Sequence, residues 1–160
     1  MLPRLHAFLH PEDLIEHLGA EDDTLVAIAK FIDEHPKRFE TWYIAGNGID
    51  APSFGILADA IVKSPVITNV WLKRNPLGPS AAIDVFRLIT QSPSLRTPDL
   101  DQTALGDSGI AELFSLLAEH TEANPVALRK LHLHACGIGY KVCTQISHFL
   151  ASTHCSLEAL

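Results

Sequence analysis

Phe39-x-x-Trp42-x-Ile44-x-x-Asn47-x-Ile49 recurs along the chain. It returns as Ile67-x-x-Val70-x-Leu72-x-x-Asn75-x-Leu77 and as Leu95-x-x-Pro98-x-Leu100-x-x-Thr103-x-Leu105. A further copy is Leu128-x-x-Leu131-x-Leu133-x-x-Cys136-x-Ile138, and Leu157-x-x-Leu160 opens a fifth. The copies begin 28, 28, 33 and 29 residues apart. A period of this size marks an array of stacked supersecondary units.

Every copy has the same grammar. An apolar-x-apolar stretch reads as a short strand, and a turn carrying Asn, Thr or Cys follows it. Then comes an amphipathic stretch at helical spacing, such as Ile110, Leu113, Phe114, Leu116 and Leu117. Pro52, Pro79 and Asp107 stand where helices would begin, and Pro65, Pro93 and Pro125 where they have ended. The spacing predicts strands near 42–44, 70–72, 98–100 and 131–133, with helices near 52–63, 79–91, 107–120 and 140–152. The long interval predicts an extra loop around Thr121 to Val126. One strand and one helix cannot bury both apolar faces alone, whereas stacked copies can. The fold class is therefore α/β: a right-handed β-α solenoid with parallel inner strands and outer helices.

Four copies in register resemble the leucine-rich repeats of the ribonuclease-inhibitor-like subtype, over roughly Phe39 to Leu160. The resemblance implies a horseshoe fragment whose strands line a concave wall. It also implies that Cys136, in the turn column, and Cys143, at the following helix start, are buried, reduced and structural. Cys155 lies in the loop before the fifth strand.

Two departures fall in the third copy. Pro98 takes an interior strand column, where a missing N–H removes a ladder bond and predicts a local distortion. Thr103 replaces Asn in the turn column, which loses an amide donor pair but keeps one hydroxyl.

Residues 1–38 do not fit the repeat and read as a helical N-terminal cap; residues 39–160 hold four repeats and the start of a fifth. Within the cap, Pro11 to Leu18 reads as a short helix. Asp22 or Asp23 would cap a second helix bearing Leu25, Val26, Ile28, Ala29, Phe31 and Ile32. No matching C-terminal cap is visible, so the chain reads as a fragment of a longer array that can self-associate through that end.

Composition narrows the function classes. The 160 residues carry 12 Lys and Arg against 19 Asp and Glu, a net charge of −7 that argues against a general nucleic-acid binder. No apolar run reaches the length of a membrane span, and Arg4 to Asp13 is broken by charge where a signal peptide would be apolar. Three cysteines and no N-x-S/T sequon point to a reducing cytosol. A host cytosol fits as well, if the chain is a delivered bacterial effector.

Gly46-Asn47-Gly48-Ile49-Asp50-Ala51 matches the spacing of a dinucleotide-binding loop. The acidic residue required at the end of the next strand is absent, because that strand ends Leu72-Lys73-Arg74. The loop is better read as the turn of the repeat. No cofactor is expected, and no enzymatic activity.

The strand columns between the core residues carry the functional reading. One column is Tyr43, Trp71, Asp99, His132; the next is Ala45, Lys73, Asp101, His134, with Arg74 beside it; the outer one is Thr41, Asn69, Thr97, Lys130. Aromatic and arginine side chains on an open face are the residue types of protein-binding hot spots. The candidate partner-binding residues are Tyr43, Trp71, Lys73, Arg74, Asp99, Asp101, His132 and His134, on a protein-interaction module. Tyr43 and Trp71 packed beneath the N-terminal cap is the competing explanation. Two other functions stay open. One is a small-GTPase regulator resembling the Ran-type GTPase-activating proteins. The other is a metal site at Asp99, Asp101, His132 and His134, against which stand simple cross-strand Asp–His contacts.

Overall fold

The computed structural model of the chain describes residues 5–8 and 24–160. Four parallel strands lie side by side in chain order: β1 (Leu5–Phe8), β2 (Phe39–Tyr43), β3 (Asn69–Trp71) and β4 (Thr97–Asp99). Among the described residues five α-helices connect and follow them: α1 (Thr24–Glu34), α2 (Ala51–Ile61), α3 (Ala82–Gln91), α4 (Gly106–Ala123) and α5 (Cys143–Ala151). Short 3-10 turns at Pro79–Ala81 and Tyr140–Val142 lead into α3 and α5. Each helix packs on the one before it, α1 on α2 through to α4 on α5.

The repeat columns explain this order. Trp42, Val70, Pro98 and Leu131 are buried in one row, and Ile44, Leu72, Leu100 and Leu133 in the next. The helices close over them with Phe54, Leu57, Ile61, Leu88, Phe114 and Phe149, all fully buried. At the first unit Phe31 and Phe39 stand edge-on to Trp42, at 6.3 and 5.6 Å between ring centres.

Four expectations are corrected. The N-terminal piece is not wholly helical, because Leu5–Phe8 pairs in parallel with β2, Phe8 opposite Tyr43. Four residues are too few to show a period, so the sequence carries no strand signal there. The helix α1 occurs as expected; the Pro11 to Leu18 helix and the Asp22 or Asp23 cap lie outside the described residues. The second correction concerns the long interval, which lengthens α4 to 18 residues instead of making a loop. Thr121 is buried and helical there, its hydroxyl donating to the Leu117 carbonyl at 2.7 Å, and its own carbonyl accepts the His154 N–H at 2.9 Å. Third, Cys143 is exposed while Cys136 is buried; the three cysteines are unpaired. Val142, one residue earlier in the 3-10 turn, takes the buried position.

The fourth correction is the strand expected at 131–133, which is reduced to isolated bridges, Asp99 with His132 and Lys130 with Ala159. Pro98 is the reason. Lys130 N–H donates to the Arg96 carbonyl at 3.0 Å, His132 N–H to the Pro98 carbonyl at 3.3 Å and Leu100 N–H to the His132 carbonyl at 3.0 Å. Continuing that ladder needs an N–H at position 98 aimed at the Lys130 carbonyl, and proline has none. Thus β4 itself stays in register with β3, Val70 opposite Pro98, and the defect falls between β4 and the following row.

Candidate functional site

The sheet face turned away from the helices carries the predicted columns as rows across the strands. Tyr43 lies opposite Trp71, Trp71 opposite Asp99, and Asp99 is bridged to His132. Lys73, Asp101 and His134 form the next row, tied through Gly46 N–H to Lys73 O, Arg74 N–H to Asp101 O and Gln102 N–H to His134 O.

Within these rows the side chains divide. Tyr43 and Trp71 are half-buried and stacked at a tilt of 39°, with 5.0 Å between ring centres. Lys73 Nζ sits 5.0 Å from the Trp71 ring centre, a cation–π contact that holds the indole's exposed side. Arg74 is exposed, on a residue with φ of 60°. That turn position is left-handed in every unit: Gly46, Arg74, Gln102 and Ala135 all have positive φ.

Asp99 and Asp101 do not behave as open-face ligands. Asp99 is buried and accepts the Asp101 N–H at 3.0 Å; Asp101 accepts the His134 N–H at 2.7 Å. Both carboxylates therefore fasten backbone, a use that residue type and spacing do not reveal. His132 and His134 are exposed. Among the described residues no three His, Cys, Asp or Glu side chains gather to hold a metal ion, which corrects the metal reading. The cross-strand contact is likewise carboxylate to backbone instead of Asp to imidazole.

The glycine-rich loop is a turn. Gly46 and Gly48 have φ of 72° and 68°, which glycine adopts without strain. The N-terminus of α2 that a phosphate would need is already capped by Asp50, whose carboxylate accepts the Ser53 N–H at 2.9 Å. These Ser53 hydrogen bonds hold the Asp50 carboxyl below its ordinary range.

One feature of this face escaped the column reading. At the strand starts, Glu40, Thr68, Arg96, Arg129 and Glu158 form a single row. From Thr68 onward each N–H donates to the carbonyl of the row's member one unit earlier, at 2.8 Å three times and 2.7 Å at Glu158. The row and its neighbours line an open pocket of about 460 Å³, walled by Arg96, Arg129, Lys130, Thr68, Asn69 and Thr97. Glu40 and Glu158 stand at its two ends. Extending the columns by one residue toward each strand start finds Arg96 and Arg129.

No known family profile matches the chain. A stretch of 112 residues, 69% of the chain, is 29% identical to the NACHT, LRR and PYD domains-containing protein 3 of Mus musculus. The match spans about a tenth (10%) of that protein's length. Among solved structures, the tropomodulin C-terminal domain of Caenorhabditis elegans superposes with a TM-score of 0.48 at 15% identity. That superposition covers 81% of this chain and 92% of the other. The sequence similarity is thus to a protein whose name includes a leucine-rich-repeat domain.

Proposed function

We propose that the chain is part of a right-handed leucine-rich-repeat solenoid, ribonuclease-inhibitor-like in type, that binds a protein partner through the concave face of its strands. We read it as a non-catalytic module of a reducing compartment such as the cytosol, its cysteines being unpaired. The observation that carries the reading is the Tyr43–Trp71 stack with Lys73 over the indole, on the sheet face turned away from the described helices. Half-buried aromatic rings fixed among charges are what hot spots require. The stacked strand–helix units and the similarity to a leucine-rich-repeat protein support the same conclusion.

The test places a photo-crosslinking amino acid at Tyr43 and, separately, at Ile83, which is 50% exposed on α3. Partner adducts should form from position 43 and not from position 83. For the partner so caught, Trp71→Ala should weaken binding by about 2 kcal/mol, with the circular dichroism spectrum unchanged. Lys73→Glu should chiefly slow association and alter its salt dependence. Adducts confined to position 83 would move the interface to the helical side.

A further inference from the structure

The pocket at the strand starts holds three cations against two carboxylates, Glu40 and Glu158 at its ends, in a chain whose net charge is −7. Its three cations are not equally committed. Arg129 is held in place: its Nη1 donates to the Leu128 and Ser156 carbonyls at 3.2 and 3.4 Å, and its Nε lies 3.5 Å from Glu158. Arg96 and Lys130 are exposed, and among the described residues their side chains have no hydrogen bond or ion pair. Between them lie the neutral Thr97, Asn69 and Thr68. Two uncommitted cations, beside Arg129 held by backbone carbonyls and Glu158, make a receptor for an anionic group.

The pocket is continuous with the aromatic stack. Asn69 lines it, and Trp71 follows two residues later on the same strand face. Arg96 and Lys130 stand one and two strands over, and at a strand rise of about 3.3 Å and a strand spacing of about 4.8 Å they lie roughly 11–12 Å from Trp71, about three to four residues of an extended peptide. A ligand spanning both sites needs an anion and an apolar group at that separation. A free inorganic anion has only the first.

We propose that the pocket walled by Arg96, Arg129 and Lys130 receives the carboxylate of an extended, acidic segment of the protein partner. That segment sets an apolar or aromatic residue, three or four positions from the acidic one, on Trp71. The inference rests on the concave-face reading above and names the chemistry it selects. The acidic chain elsewhere keeps such a segment from other surfaces, so the charge acts on specificity as well as attraction.

The experiment pans a displayed library of random heptapeptides against the full chain. Binding of a labelled selected peptide is then measured by fluorescence anisotropy. The expected consensus is Asp or Glu three or four residues from an apolar or aromatic residue. Arg96→Glu with Lys130→Glu should weaken the selected peptide about tenfold or more, and the pair Arg96→Gln with Lys130→Gln should do so less. Converting the peptide's acid to its amide should weaken binding to the unmodified chain and not to the charge-reversed one. Peptides that need Trp71 but ignore both charge changes overturn the anion pocket and leave the concave-face reading standing. Binding that depends on neither Trp71 nor the cations overturns both. Inorganic phosphate alone binding at Arg96 and Lys130, with no acid selected in the peptides, assigns the pocket to a free anion and overturns the peptide source. A library that yields no binder overturns the extended segment as well.

Discussion

Asn75 shows how much one side chain can hold between two units. Its amide nitrogen donates to the Ile44 and Leu72 carbonyls at 2.9 and 2.7 Å, and its oxygen accepts the Asn47 and Ile49 N–H groups at 2.8 and 3.2 Å. It is fully buried, so all four groups would be left without water if it were removed. Thr103, one unit on, reaches only the Leu100 carbonyl at 2.7 Å, with the Cys136 sulfur 3.6 Å away. Asn75→Ala should therefore cost on the order of 3 kcal/mol or more, and Thr103→Val about 1 kcal/mol, in denaturant unfolding. Equal costs would show that the turn column is not a hydrogen-bonded ladder. Asp50 supplies a second residue-scale test. Its carboxyl sits below its ordinary value of 3.8 because Ser53 hydrogen-bonds the charged form. A depressed carboxyl stabilises the fold above its ordinary value, and that contribution disappears as the pH falls through the lowered one. Asp50→Asn keeps an acceptor for the Ser53 N–H without the titration. Its melting temperature should fall less than that of the unmodified chain between about pH 7 and about pH 3.

Among the elements, β4 and α4 are tied to their neighbours in opposite ways. At α4 the backbone packs closely: a Cβ on Gly109 would lie 2.9 Å from the Pro79 Cα, so the helix depends on a missing side chain. At β4 the ladder is interrupted, because the Pro98 ring removes the one N–H that would pair with Lys130 O. The sequence shows Pro98 in an interior column, and the defect it forecasts is real. It could not show which neighbour loses the bond, since that depends on which way position 98 faces in the register. Pro98→Leu should restore the bridge and add buried apolar surface, raising stability by about 1–3 kcal/mol. A midpoint that stays or falls in denaturant would mean that Pro98 fits its site better than leucine, and that the short row after β4 is a built feature.

At the scale of the molecule, the period of the apolar residues made the architecture legible. It located α2, α3, α4 and α5 to within a few residues, because helix starts and stops carry Pro and Asp signals. It missed β1, whose four residues carry no period, and the extension of α4, in which Thr121 is buried. The open face was legible as columns, since strand alternation decides which residues share it. The roles of Asp99 and Asp101 were not, because a carboxylate that fastens backbone and one that meets a ligand look alike in sequence. The pocket arises only where residues from several units meet at the strand starts. Such an array has a consequence for cooperativity. The helices pack in chain order, α4 meeting α3 on one side and α5 on the other. Destabilisation should then spread by neighbour interfaces and weaken with distance. Phe149 in α5 is fully buried and meets Phe114 of α4 edge-on at 5.5 Å. Phe149→Ala should cost about 3–5 kcal/mol where α5 docks. Hydrogen exchange followed by mass spectrometry should accelerate strongly in α5 and the last turns of α4, less in α3, and least in α2. Equal acceleration in α2 and α5 would mean that the units open together, as one core without separable interfaces.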